Sequence, residues 1–354
     1  MNKENKLKGA RVEYHILQSF PVTCLNRDDV GAPKSAMIGG AQRGRVSSQC
    51  WKRQVRLALH DMGVKIGVRT KKIEEMLRAA MLERGATDEG AQECAGKVAK
   101  ALTDNTLLFF TRSEADAIAD FARENDFDAK ALSAGDKKGL TTNLKNKMKA
   151  RLKPALNGLD IALFGRMVAQ DPDFNMSAAA SFAHAITTHR AANEVEFFTA
   201  LDDLKEETGS AHMGSLEFNS GTYYRYISLD LGQLAENIGE ENVPDAVRHF
   251  TKALYIAVPA ARQTTQAGMR PWDYARVQIR RGQGMQASFD KPVRSSNGFL
   301  EASVAELDRQ LERSENLAGS LYGKLGDYAF GKDEKFSIDN LVDALAKNIE
   351  ELRS

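Results

Sequence analysis

Cysteine, tryptophan and long apolar runs are what this chain has least of. Its three cysteines, Cys24, Cys50 and Cys94, are odd in number and far apart in 354 residues. They frame neither a disulfide scaffold nor a zinc site, and they fit a reducing cytoplasm. No apolar run is long enough to cross a bilayer, so no membrane partner is expected. The opening Met-Asn-Lys-Glu-Asn-Lys has no apolar segment behind its charges and does not read as a signal peptide. There is no internal repeat and no low-complexity linker. Charge of one sign is also missing in bulk: the net charge is +1, which by itself predicts no nucleic-acid partner.

The distribution of charge says more than its sum. From Val30 to His60 there is no acidic residue, yet Lys34, Arg43, Arg45, Lys52, Arg53 and Arg56 fall there. Lys137 to Leu159 is acid-free too, with Lys137, Lys138, Lys145, Lys147, Lys149, Arg151 and Lys153. A third basic group is Arg262, Arg270, Arg276, Arg280 and Arg281, with only Asp273 among them. The acids collect around Glu194 to Glu207 and in the last fifty residues. Such segregation suits a basic binding surface with acidic surfaces elsewhere.

The run from Arg45 to Arg56 organises the first of these stretches. Trp51, Val55, Ala58 and Leu59 recur at helical spacing and form an apolar face; Gln49, Lys52, Arg53 and Arg56 form the opposite one. Ser47 or Ser48 is a suitable N-cap. Cations in the first turns oppose the helix dipole unless an anion faces them. Backbone N–H groups, hydroxyls, guanidinium and ammonium together make an anion site. A solvated face is the alternative for a lone helix of this kind.

Along the chain, Val12, Tyr14 and Ile16 alternate with Arg11, Glu13 and His15 as a first strand, which Pro21 is expected to end. A Gly-rich loop is expected over 31–44. Residues 70–130 read as helices capped by Thr70, Thr87 and Ser113, and 137–153 as another helix. Leu159 to Met167 reads as a strand, Ala178 to His189 is ambiguous, and 190–222 is a long polar loop of the kind usually kept for function. Tyr223 to Leu229 is a strand and Pro244 opens a helix. Arg276 to Arg280 reads as an edge-like strand. Leu341, Leu345, Ile349 and Leu352 line one face of a last helix.

An ordered set of motifs points to a family. It comprises Cys24-Leu-Asn-Arg-Asp-Asp29, Arg45-Val-Ser-Ser-Gln-Cys-Trp-Lys-Arg53, Gly158-Leu-Asp-Ile-Ala-Leu-Phe-Gly-Arg-Met167, His184-Ala-Ile-Thr-Thr-His189, and Gly209 to Phe218 followed by Tyr224-Arg-Tyr226. In this order they resemble the CasC-type backbone subunit of the type I-E CRISPR Cascade complex, within the RAMP superfamily. The resemblance implies an α+β fold. An RRM-like (ferredoxin-like) palm would span 1–64, 156–189 and 223–354. A helical fingers insertion would span 65–155, and a thumb loop or hairpin 190–222.

It further implies a non-catalytic subunit that stacks in head-to-tail copies along the CRISPR RNA beside other Cascade subunits. The thumb displaces nucleotides periodically and leaves the guide to pair with target DNA. Lys34, Ser47, Gln49, Lys52 and Arg53 match guide-backbone contacts, with Arg56 on the same stripe; Arg27, Arg45, Arg166 and His212 are further expected RNA contacts. Met167, Phe198 and Met213 match apolar wedges against displaced bases. Lys137, Lys138, Lys145 and Lys149 match a fingers face for DNA. No cofactor and no metal is implied. A scaffold for any spacer needs phosphate rather than base contacts, which fits these residue types.

Two features stay open on the residues alone. Asp28 and Asp29 are either Mg²⁺ ligands or acid/base groups of a metal-dependent endoribonuclease of similar fold, or loop carboxylates that pair with Arg27 or cap backbone. His184 and His189 are five apart, which suits no shared metal and suggests one buried, hydrogen-bonded histidine.

Overall fold

The sheet is built outward from β1 (Ala10–Thr23). Its alternation sends Val12, Tyr14 and Ile16 into the main apolar core and Glu13 and His15 to the opposite face. Pro21 does not end the strand. It falls in the register shift between Phe20 and Thr23, where no ladder N–H is demanded of it. A computed structural model of the chain describes residues 5–103, 107–132, 140–152, 158–168, 172–201 and 210–354.

The expected Gly-rich loop is instead a hairpin of β2 (Ser35–Ile38) and β3 (Ala41–Val46). Gly39 and Gly40, at φ 56° and 71°, form its two-residue turn, a conformation that demands positive φ at both places. A Cβ on Gly39 would run into the Asp290 carbonyl oxygen, whereas one on Gly40 would meet nothing. Gly39→Ala is therefore expected to cost about 2–3 kcal/mol and Gly40→Ala about 1 kcal/mol in urea melts. Next comes α1 (Ser48–Asp61), capped by the Ser47 hydroxyl, which accepts from the Cys50 N–H. It buries Trp51, Val55, Ala58 and Leu59, the face its spacing predicts.

A helical block follows: β4 (Val68–Thr70), α2 (Ile73–Leu82), α3 (Asp88–Leu102), β5 (Leu108–Phe110), α4 (Arg112–Glu124), α5 (Ala129–Leu132) and α6 (Thr142–Leu152). It closes on its own core, which also takes Val168 and Phe174. Thr87 caps α3 as expected. Thr70 lies in a strand and does not cap α2. Thr111 rather than Ser113 caps α4, because Glu114 three residues on completes a capping box with it. The predicted strand at 159–167 is instead α7 (Leu159–Phe164), bracketed by Gly158 and Gly165 at positive φ. Its first five residues are all buried, so the run carries no period to separate helix from strand.

The chain then forms β6 (Ala180–Phe182), β7 (Ala185–Thr187), β8 (Glu194–Leu201) and β9 (Ser210–Asp230). The expected polar loop is thus a long β8–β9 ribbon that runs on into the sheet. After α8 (Leu231–Ile238), α9 (Val243–Ile256) has Pro244 in its first turn, as predicted. The rest is α10 (Gln263–Gln266), β10 (Tyr274–Arg281), α11 (Leu300–Ala318), β11 (Lys324–Phe330) and α12 (Ile338–Arg353).

Among the described residues the large sheet runs β11-β10-β1-β9-β7-β3-β2, antiparallel, with β6 and β8 also on β9. Its centre, β10-β1-β9-β6/β7, has the strand order of a ferredoxin-like α+β unit, with helical crossovers after β3 and β9. β10 is not an edge strand, since β11 pairs along it. Helices α1, α7, α8, α9 and α12 supply the core on one face. The other face is covered by 285–322. The Met285 N–H donates to Glu13, the Ala287 N–H to Tyr224, and Arg43 donates to the Thr187, Phe289 and Asp290 carbonyls. Phe299 stacks on His189 at 3.7 Å. Among the described residues both faces of the central sheet are covered, which leaves its edges and the helix ends exposed.

Candidate nucleic-acid interface

The site is organised by how 24–34 folds against β3 and α1. Asn26 is the hinge: its Oδ1 accepts from the Ser47 N–H at 2.9 Å and its carbonyl from the Lys34 N–H at 2.8 Å. The Lys34 carbonyl in turn accepts from the Arg45 N–H at 2.8 Å. Asp28 Oδ1 accepts from the Val30 and Ala32 N–H groups at 3.0 and 2.9 Å, so this carboxylate shapes its own loop. The fold leaves a cleft of about 650 Å³ lined by Arg27, Asp28, Asp29, Cys50, Arg53 and Gln54.

Further charge lies around the start of α1, on residues that do not line the cleft. Arg45 Nη1 lies 3.0 Å from His184 Nδ1. Burial first, then Arg45 and Lys34, hold the His184 imidazole below its ordinary pKa, so it is neutral at neutral pH. Burial raises the Cys50 thiol, opposed by nearby Arg53 and Lys34. Lys52 rests its ammonium 5.6 Å from the Phe182 ring centre, and partial burial lowers its pKa. Arg27, Gln49 and Arg53 are exposed. Arg27, Lys34, Arg45, Ser47, Gln49, Lys52 and Arg53 are thus gathered around the first turn of α1.

Two expected RNA contacts turn inward. Arg56 donates from Nε to Asp160 Oδ2 at 2.7 Å and from Nη2 to the Gly67 carbonyl, and its guanidinium lies 5.1 Å from the Phe109 ring centre. One turn beyond Lys52, the stripe faces α7, and Arg56 joins α1 to it. Arg166 is 7% exposed; it donates to Glu114 Oε1 at 2.6 Å and to the Phe174 and Phe109 carbonyls. This buried ion pair ties the helical block to the sheet unit and commits Nε and Nη1 of Arg166 to protein acceptors. Its neighbour Met167 is 81% exposed.

The β8–β9 ribbon carries the remaining apolar candidates. Phe198 pairs with Gly214 and Thr199 with Met213. Paired residues share a face, so Phe198 and Met213 lie on opposite faces of the ribbon. Phe198 covers Gly214, where any Cβ would meet its ring at 2.6 Å. Beside Met213 stands Phe197, which is 63% exposed and was not singled out from the sequence. Alternation along the ribbon would have found it once a strand was assumed.

In the other basic stretches, several of the described side chains are paired with carboxylates. Lys145 pairs with Asp173 at 3.3 Å and Lys147 with Glu124. Lys137 and Lys138, and the side chains of Lys149 and His212, lie outside the described residues. Arg276 is bound to Asp308 and Asp327, Arg280 to Glu13, and Arg270 to Asp273. Arg262 differs: it directly follows Ala260 and Ala261, which line the cleft. His189 is the buried histidine, with Nε2 accepting from the Thr222 N–H and Nδ1 donating to the Arg190 carbonyl. Among the described residues no cluster of His, Cys, Asp and Glu has metal-binding geometry, and no helix is long and apolar enough to cross a membrane.

The profile of a family described as CT1975-like protein matches residues 12–352. A chain of a solved CRISPR RNA-guided surveillance complex in a pre-nicking state superposes with a TM-score of 0.78 at 28% identity, over 96% of this chain and 100% of that one. A chain of another CRISPR RNA-guided surveillance complex gives 0.69 at 23% identity, over 95% and 99%, a likeness of fold. No curated protein matches.

Proposed function

We propose that this chain, which belongs to the CT1975-like family, is an RNA-binding backbone subunit of a CRISPR surveillance complex. The observation that carries the reading is the gathering of Arg27, Lys34, Lys52 and Arg53 around the capped start of α1. Such a site holds phosphates and is indifferent to base identity. In the finer reading, several copies stack head to tail along the guide RNA, as in a type I-E Cascade, and expose its bases to target DNA. Heterologous contacts that do not close generate such a filament. Adding RNA of increasing length to the chain with its partner subunits should give complexes whose mass rises in steps of one copy. A fixed mass would contradict the stacking.

The ribbon then acts as the thumb that displaces bases. Met213 and Phe197 form its apolar wedge on one face, and Phe198 braces the other by covering Gly214. Base–aromatic contact is worth about 1–3 kcal/mol per base. Phe197→Ala with Met213→Ala should therefore abolish the periodic chemical reactivity of displaced nucleotides in the assembled complex. Unchanged reactivity would remove the wedge assignment.

The subunit is read as non-catalytic, with Asp28 occupied in its own loop. The competing reading is a metal-dependent endoribonuclease using Asp28 or Asp29. It requires Mg²⁺-dependent RNA cleavage that Asp28→Asn or Asp29→Asn abolishes.

A further inference from the structure

We propose that Arg225 is the buried half of the anion site at the start of α1, a charge held beneath the helix whose counter-ion is an RNA phosphate. The inference rests on the RNA-binding reading of that site. Arg225, on β9, is 2% exposed, and its guanidinium lies 3.6 Å from the centre of the Trp51 ring in the first turn of α1. Nη1 donates to Gln18 Oε1 at 2.8 Å. Nε and Nη2 of Arg225 and Nε1 of Trp51 have no acceptor among the described residues. Three buried donors thus converge under one helix end.

Other inward-facing arginines have a carboxylate or several carbonyls at hand, although Arg43 Nε and Arg280 Nη2 also lack acceptors among the described residues. Arg280 has Glu13, Arg166 has Glu114, Arg56 has Asp160, and Arg43 has three carbonyls. Arg225 has one neutral amide and the face of Trp51, and no carboxylate among the described residues. Burial draws its pKa down to about 9, which still leaves it charged at neutral pH. A buried charge without a partner is costly, and a trapped water satisfies N–H groups without neutralising the charge. The helix dipole adds positive potential at the same end. An anion in front of the first turn relieves both. Arg225 therefore acts through the field, while Lys52 and Arg53 above it make the contacts.

The test compares the full-length protein with Arg225→Gln, which keeps a partner for Gln18 and removes the charge, and Arg225→Lys, which keeps the charge. Binding of labelled oligouridylate and thermal melting with and without pyrophosphate are measured. Arg225→Gln should melt no lower than wild type, yet bind RNA about five- to tenfold more weakly at low salt. Arg225→Lys should keep most of the affinity. Wild-type binding by Arg225→Gln would overturn the inference and leave the RNA reading intact. So would a parallel loss of melting temperature and affinity in both variants, which marks a purely structural residue. If RNA does not bind the wild type, but pyrophosphate stabilises it more than Arg225→Gln, the RNA reading falls and the anion site stands. If neither ligand acts on the wild type, both fall.

Discussion

Lys52→Ala combined with Arg53→Ala is expected to weaken binding of single-stranded RNA about 15-fold at ~0.15 M salt, and to lower the salt dependence by about 1.4 log units per log unit. Each phosphate neutralised releases about 0.7 of a counter-ion from a single strand, which is worth roughly a factor of four at that salt concentration. Arg53 is exposed beside the cleft, so its removal takes away charge and little packing. Lys52 is half-buried against Phe182, and Lys52→Met separates loss of charge from loss of the stem. The loss should be uniform across RNA sequences, because phosphate contacts carry no base information. An unchanged slope in the double variant would move the RNA away from α1.

Glu114→Ala is expected to destabilise the helical block by about 5 kcal/mol. Glu114 is 1% exposed, partners the buried Arg166 at 2.6 Å, and completes the capping box of α4. Removing one member of a buried pair leaves an uncompensated charge, at about 3–5 kcal/mol, and a lost cap adds about 1 kcal/mol. Urea melts and hydrogen exchange in α4 measure it. Glu114→Leu with Arg166→Met should recover most of the loss, since an apolar pair replaces the ions without an orphan. If the single change costs under about 1 kcal/mol, the pair is not the tether between helical block and sheet.

How far the sequence reached follows from where its signals are local. The apolar face of α1, its Ser47 cap, the Pro244 helix start and the alternation of β1 depend on neighbours a few residues away, and all were legible. The α7 segment was not, because a short run buried on all sides has no period. On residue pattern alone the β8–β9 ribbon reads as a polar loop, because its exposed faces mix acids with Val195, Phe197 and Phe198, which blurs alternation; the family resemblance alone allowed a hairpin there. For charged residues the limit is sharper. Arg53 and Arg56 share a stripe in sequence, yet one meets solvent and the other meets Asp160, over a hundred positions away. Arg276 and Arg280 looked like a basic edge until β11 and Glu13 closed on them. Pairing over such separations is invisible to any local pattern. So is the setting of Arg225, whose guanidinium is buried against Trp51 with Gln18 as its one hydrogen-bond acceptor among the described residues.

The central claim is that this chain holds intact RNA by its phosphates. The most direct measurement titrates the purified protein into labelled single-stranded CRISPR RNA across a salt series, with and without Mg²⁺, and follows binding and RNA length on one gel. The account predicts salt-sensitive, cooperative binding of full-length RNA that is indifferent to Mg²⁺. Mg²⁺-dependent shortening of the RNA that Asp28→Asn or Asp29→Asn prevents would contradict it.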